Sequence, residues 1–157
     1  EEPFKLVSGQ LSHDYIDGKY AIDNGARLTT VSRAVADLAA AAGIEFDAVG
    51  GLTMGADPLA HGIAMVTGSA WFSVRKEQKK RGREQWVEGT RLEEGTRVLL
   101  VDDVISTGGS TELALERIAP LGVVVTGVIP MVDRGDVATE LFAGLGEPGK
   151  AAPAAKR

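Results

Sequence analysis

A chain of 157 residues, 44% hydrophobic and 25% charged, has the size and balance of one soluble globular domain around one core. It contains no cysteine, which excludes a disulfide framework and any Cys-ligated zinc site and agrees with a reducing cytoplasm. The net charge of −5 argues against a general nucleic-acid coat, and no apolar run nears the ~18 residues of a membrane span.

The chain opens on EEPFKL without a methionine or a visible signal peptide, so a trimmed or omitted native N-terminus is expected. FKLVSG (4–9) and HDYIDGKYAI (13–22) read as a short β-rich segment with Gly and Ser turns. From Arg27 to Ala42 the apolar period becomes helical: Leu28, Val31, Val35, Leu38 and Ala42 share one face, and Gly43 is a stop signal. FDAVGG (46–51) is a short strand ending in glycines. LTMGADPLAHGIAMV (52–66) is a loop and then a helix, with Asp57 as N-cap and Pro58 in the first turn.

AWFSV (70–74) is a third strand. The basic stretch and QWVEGTRLEEGT follow it without clear period, as a long loop or an open hairpin. RVLLVDD (97–103) is nearly all apolar, as a strand covered on both faces must be. A helix over Gly109–Leu121 turns Leu115, Ile118 and Leu121 inward. VVVTGVIPMV (123–132) is a further buried strand, and Asp136–Ala143 a last short helix. GLGEPGKAAPAAKR at the end has the composition of a mobile tail. Strands alternating with helices specify an α/β fold with a parallel central sheet.

The charge is unevenly spread. Arg75, Lys76, Lys79, Lys80, Arg81 and Arg83 place six of the 17 basic residues within nine positions of an otherwise acidic chain. Such a run is either a solvated surface loop or a local anion site.

Residues 98–111, VLLVDDVISTGGST, carry the most specific pattern. In open α/β sheets ligands bind beyond the carboxyl ends of the strands. The glycines allow a sharp turn and close backbone approach, and the amides of Thr107–Thr111 lead into a helix N-terminus suited to phosphate. Neither GxxxxGK[ST] nor GxGxxG is present. Phosphate repels Asp102 and Asp103, so these acids require another partner. A vicinal diol or a magnesium ion supplies one. A ribose 5-phosphate unit meets both halves of the motif, with its diol on the acids and its phosphate in the Gly turn. The competing reading is a plain strand end with solvated acids.

The motif resembles the phosphoribosyl-pyrophosphate (PRPP) signature of type I phosphoribosyltransferases. FKLVSGQLSHDYID, VGGLTMGADPLA, VRKEQKKRG and VDRGD resemble segments of the orotate phosphoribosyltransferases: the N-terminal Ser-Gly segment, the pyrophosphate-contacting loop, the mobile catalytic loop and the Asp-Arg after the next core strand. The resemblance implies a phosphoribosyltransferase domain over 1–145 with a small hood-like β-rich segment at 1–26, helices flanking a parallel central sheet, and a flexible 146–157. It implies transfer of phosphoribose from PRPP to orotate, with magnesium held mainly through PRPP and no dedicated protein metal site. It also implies a cytoplasmic homodimer in which the basic loop closes over the neighbouring subunit's site, with no nucleic-acid or membrane partner.

By the same resemblance Arg75, Lys76, Lys79, Asp102 and Asp103 are catalytic. PRPP is held by Arg75, Lys76, Lys79 and Arg81, by Asp102, Asp103, Val104 and Ile105, and by Ser106, Thr107, Gly108, Gly109 and Ser110. Orotate is held by Ser106 and Arg134; Arg134 could also be a salt-bridged strand-end residue. Val7, Met54 and Arg81 stand where many members of the family have Lys, Lys and His. His13 and His61 have no partner at metal spacing and read as structural or surface residues, as Trp71 and Trp86 read as packing residues. A phosphoribosyltransferase for another base, or a non-catalytic sensor of PRPP or nucleotide, remains open at this point.

Overall fold

The computed structural model describes residues 3–5, 11–12, 16–78, 86–134 and 138. Two short strands, β1 (Phe4–Lys5) and β2 (Leu11–Ser12), pair antiparallel at the start, as the β-rich reading expects. The rest of that segment departs from it. Gly18–Ala21 forms a helix, α1, whose first amides at Lys19 and Tyr20 donate to the Asp17 carboxylate at 3.1 and 3.3 Å. Asp17 is an N-cap, and a cap can start a helix where four residues carry no readable period.

Helix α2 (Gly25–Ala41) is capped by Asn24, whose side chain accepts from the Arg27 N–H. It stops at Gly43, which takes a φ of +68°. Its inner face differs from the expected one by part of a turn. Ser32, Val35 and Ala39 are buried, whereas Leu38 is 56% exposed. The reason is close packing on helix α3 (Asp57–Thr67): a Cβ on Gly62 would lie 2.2 Å from Ser32 Oγ, so only small residues fit between the two helices.

Strands β3 (Ala48–Leu52), β4 (Ala70–Val74), β5 (Val87–Gly89), β6 (Arg97–Ile105) and β7 (Val124–Asp133) form one sheet in the order β5-β4-β3-β6-β7. All neighbours run parallel except β5, which returns antiparallel along β4, so β4 and β5 pair as the two arms of a hairpin. Helix α4 (Gly109–Ile118) is followed by a 3-10 turn at Ala119–Leu121, because Pro120 cannot continue the α-helical bonding. Leu121 thereby swings to 38% exposure instead of facing inward. Of the expected last helix, Asp136–Ala143, only Ala138 is described, helical and buried; its other residues and the C-terminal tail lie outside the described residues.

The central strands β3 and β6 are apolar along their buried length because both faces are covered. Val35, Ala39, Leu59 and Ile63 of α2 and α3 pack on Val49, Leu99, Val101 and Ile129. On the other face Leu115 and Ile118 of α4 pack on Leu52, Phe72, Val74, Val98 and Leu100. At the amino ends of the strands Arg97 pairs with Asp47 at 2.7 Å and with Glu45, and the guanidinium holds the Asp47 carboxyl down at about 2.

Gly50, at the centre of the sheet, tests the tightness of this packing. A Cβ there would meet the Phe72 carbonyl oxygen at 2.2 Å and the fully buried Phe72 ring at 2.7 Å. Gly50→Ala is expected to lower unfolding free energy by about 3 kcal/mol, measured by urea denaturation. An unchanged midpoint would show that β3 and β4 are looser than described.

Candidate active site

Strand order reverses between β3 and β6. From β3 the chain crosses through α3 to β4 on one side; from β6 it crosses through α4 to β7 on the other. The crevice above the carboxyl ends of these two central strands is the switch point where such sheets bind ligands. Two turns meet there: residues 53–56 after β3 and residues 106–108 after β6.

Asp102 and Asp103 occupy the last part of β6, which runs two residues further than RVLLVDD alone suggests. Asp102 is 6% exposed. Each carboxylate accepts a hydrogen bond from the N–H of the following residue, Asp103 at 3.0 Å and Val104 at 2.9 Å. Burial, with the adjacent Asp103 charge added, pushes the Asp102 carboxyl up to about 7. Burial acts on Asp103 in the same direction. There it is outweighed by Lys19, whose Nζ donates to Asp103 Oδ2 at 2.8 Å, and by the Val104 N–H, so this carboxyl is held below its ordinary value.

Lys19 is a site residue that sequence reasoning missed. It reaches the acids because α1 packs against the end of β6: a Cβ on Gly18 would lie 2.9 Å from Asp103 Cβ and 3.0 Å from Met131 Cε. The turn after β3 comes equally close from the other side. A Cβ on Gly55 would lie 2.7 Å from Asp103 Oδ1 and 3.0 Å from Asp102 Oδ1. The Thr53–Met54 peptide in this turn is cis, and Met54 is 69% exposed.

Asp57 was expected to cap α3, and the structure corrects this. Ala56 occupies the cap position, and the Asp57 carboxylate accepts from Thr53 Oγ1 at 2.6 Å and Ser73 Oγ at 2.7 Å. The sequence signal was an acid followed by Pro58 at a helix start, which fits either use.

Beyond the acids, Ser106 and Thr107 lead to Gly108, which takes a φ of +79° and opens α4 without a side-chain cap. A left-handed residue here favours glycine. With no cap in place, the amides at the start of α4 remain available to an anion, next to the favourable end of the helix dipole. Val104 and Ile105 pair with Val132 and Asp133 of β7, and the Arg134 N–H donates to the Ile105 carbonyl at 2.9 Å. The backbones of Ser106 and Arg134, expected to share one ligand, are thus brought side by side.

The basic segment leaves from the end of β4. Its base is closed by the Arg75 N–H, which donates to the Trp86 carbonyl at 2.8 Å. The Arg75 guanidinium turns back on the Glu77 carbonyl and on Glu88 at 3.5 Å, and Lys76 is exposed. Lys79 and Arg81 lie outside the described residues, as do His13 and Val7. His61 and Trp71 pack edge to face at 4.4 Å, in line with the structural reading of both. Trp86 packs under the Arg117 guanidinium at 3.6 Å.

The buried acid generates a pH signature. Asp102 titrates near 3.8 when unfolded and near 7 when folded, so between these values the folded chain holds a proton that the unfolded chain has released. Stability therefore falls as pH rises through that window. The depressed Asp103 acts elsewhere, its contribution being lost only as pH drops below about 3.8. Asp102→Asn keeps an acceptor for the Asp103 N–H and removes the charge. It is expected to flatten the decline and to exceed the parent by about 2 kcal/mol near pH 8, read from urea unfolding across the pH range. Parallel pH profiles would show that Asp102 ionises freely in the folded chain.

Comparison with known proteins agrees with this geometry. The family model described as the phosphoribosyl transferase domain matches residues 21–139. The orotate phosphoribosyltransferase of Pyrococcus furiosus is 40% identical over 137 residues, covering 87% of this chain and 75% of the relative. That of Streptomyces avermitilis is 40% identical over 151 residues, covering 91% and 80%. The crystal structure of Mycobacterium tuberculosis H37Rv orotate phosphoribosyltransferase in complex with PRPP superposes with a TM-score of 0.67 at 34% identity, covering 80% of this chain and 72% of that one. The chain belongs to the phosphoribosyltransferase family and, within it, to the orotate phosphoribosyltransferases.

Proposed function

We propose that this chain transfers the 5-phosphoribosyl group of PRPP to orotate, giving orotidine 5′-monophosphate and pyrophosphate in de novo pyrimidine nucleotide synthesis. It is a pentosyltransferase. One observation carries the reading: two adjacent carboxylates at the end of β6 run directly into an uncapped helix start at Gly108, under a turn packed against both acids. Groups suited to a diol and to a phosphate are thereby joined in one short segment, as a ribose 5-phosphate requires.

In this reading the amides and hydroxyls of Ser106–Ser110 hold the 5-phosphate, and Val104 and Ile105 supply the backbone that aims them. Asp102 and Asp103 accept from the ribose hydroxyls. Their charge also steadies the positive charge that develops at C1′ as its bond to pyrophosphate oxygen breaks. Lys19 holds Asp103 ionised for that task. Orotate N1 attacks C1′ from the face opposite the leaving group, and Arg134 offers a planar fork to the orotate carboxylate. Cations of the basic segment, Arg75, Lys76, Lys79 and Arg81, answer the charge that grows on pyrophosphate, and closure of that segment excludes water.

The acid pair also suits magnesium, which favours one or two carboxylates together with substrate phosphate oxygens. Among the described residues no three His, Cys, Asp or Glu side chains gather into a metal site. Asp102 and Asp103 are the residues that would face an ion carried in by PRPP, which when bound neutralises pyrophosphate charge. We further place the enzyme in the cytoplasm as a homodimer, with the basic segment closing over the second subunit's site. No helix among the described residues is long and apolar enough to cross a membrane.

Pyrophosphate release from PRPP and magnesium, with orotate, uracil, adenine, hypoxanthine and guanine supplied separately, tests the assignment. Release is expected with orotate alone; release with another base would move the acceptor while leaving the PRPP site in place. Lys79→Ala is expected to lower kcat by about 100-fold while the Kd for PRPP changes by no more than a few-fold. Unchanged turnover would remove the basic segment from the catalytic machinery.

A further inference from the structure

We infer that Asp57 is a positioning residue: it ties the turn after β3 to strand β4 and so holds that turn against the two site carboxylates. The inference rests on the proposed reading of the acids and the turn as a PRPP site.

Asp57 stands first in α3 with Pro58 behind it, where a carboxylate would ordinarily serve the helix's own amides. Both of its oxygens go elsewhere. Oδ2 accepts from Thr53 Oγ1 at 2.6 Å, and Oδ1 accepts from Ser73 Oγ at 2.7 Å, both partly buried. Hydroxyl bonds to an ionised carboxylate at these lengths are strong. The Thr53 N–H adds a main-chain link, donating to the Val74 carbonyl at 2.8 Å.

The connected parts are those that face the ligand. Thr53 begins the turn whose Gly55 lies against Asp102 and Asp103. Ser73 lies two residues before Arg75, where the basic segment leaves the sheet. Thr53, Asp57 and Ser73 therefore form a side-chain link in series, which acts beside the Thr53–Val74 main-chain bond in setting the distance between the turn and the base of the basic segment. Elements that bracket a charged leaving group bind it more tightly when their separation is held beforehand, because no binding energy is then spent on ordering them.

A series connection has a distinctive signature. Ser73→Ala and Thr53→Val each break one link, and each is expected to lower kcat/KM for PRPP by about tenfold, mostly through KM. The double variant should lose no more than the worse single one, since a chain broken twice is no looser than one broken once. Ser73→Thr, which keeps the hydroxyl, should recover most of the loss. In Asp57→Ala, amide hydrogen exchange over residues 53–56 should rise at least tenfold while exchange over residues 59–64 of α3 stays unchanged.

Multiplying effects in the double variant, no recovery with Ser73→Thr, or exchange rising equally in the turn and in α3 would overturn the inference. Should the unaltered chain release no pyrophosphate with any base, the reading of the site fails. The exchange measurement then still decides for or against the tether.

Discussion

Asp102 and Asp103 are consecutive residues at the end of a buried strand, where each raises the free energy of ionising the other. The surroundings resolve the conflict by treating them unequally. Asp103 receives Lys19 and the Val104 amide and stays ionised; Asp102 has the deeper burial and only an amide, and is pushed toward the protonated form. The arrangement requires helix α1 to reach the end of β6, which Gly18 permits, and the turn after β3 to pass over the carboxylates, which Gly55 permits. A larger side chain at either position would displace the group that sets the charge. The acid pair thus accounts for features spread over three distant parts of the chain.

This arrangement costs the fold stability. A carboxyl that titrates near 7 is destabilising wherever it is forced to ionise, and a ligand offering hydroxyls or a cation is what relieves it. Stability given up at the end of β6 is replaced elsewhere. Val49, Leu99 and Phe72, all fully buried, lie further down the same sheet, and the opposite end is closed by Arg97 on Asp47 and Glu45. One end of the sheet is built for its own stability and the other for a ligand, as expected where a site is grafted on a scaffold.

Elements whose period was long and unbroken were legible in the sequence, namely α2, α3, β6 and β7. Position within them was less so. Leu38 faces out and Ser32 in because hydrophobicity reports a helical face only on average. Here the spacing between two helices, set by Gly62 against Ser32, overrode it. Helix α1 was hidden because four residues carry no period, and its one signal was Asp17 as a cap. In the site, the acids and the Gly turn were readable since they are contiguous. Lys19, Thr53, Asp57 and Ser73 were not, because their roles come from contacts between segments that only the fold brings together, 84 residues apart for Lys19 and Asp103.

The same logic extends to the basic segment, where sequence shows charge and the fold shows how that charge is mounted. Its two ends are joined by the Arg75–Trp86 main-chain bond and by the pairing of β4 with β5. Trp86 also lies face-on to Arg117, whose Nε is buried without a hydrogen-bond partner among the described residues, so the ring face receives the cation. Arg117 stands near the end of α4, and the same helix begins at the Gly108 turn, about 12 Å away along its axis. One rigid helix therefore connects the Gly108 turn at its start with the base of the basic segment near its end. The β3 turn is connected to that base from the other side through Ser73. In the proposed reading, both ends of a PRPP molecule, its 5-phosphate and its pyrophosphate, are thereby referred to the same few rigid elements, and the bond between them is positioned by those elements and not by the loops alone.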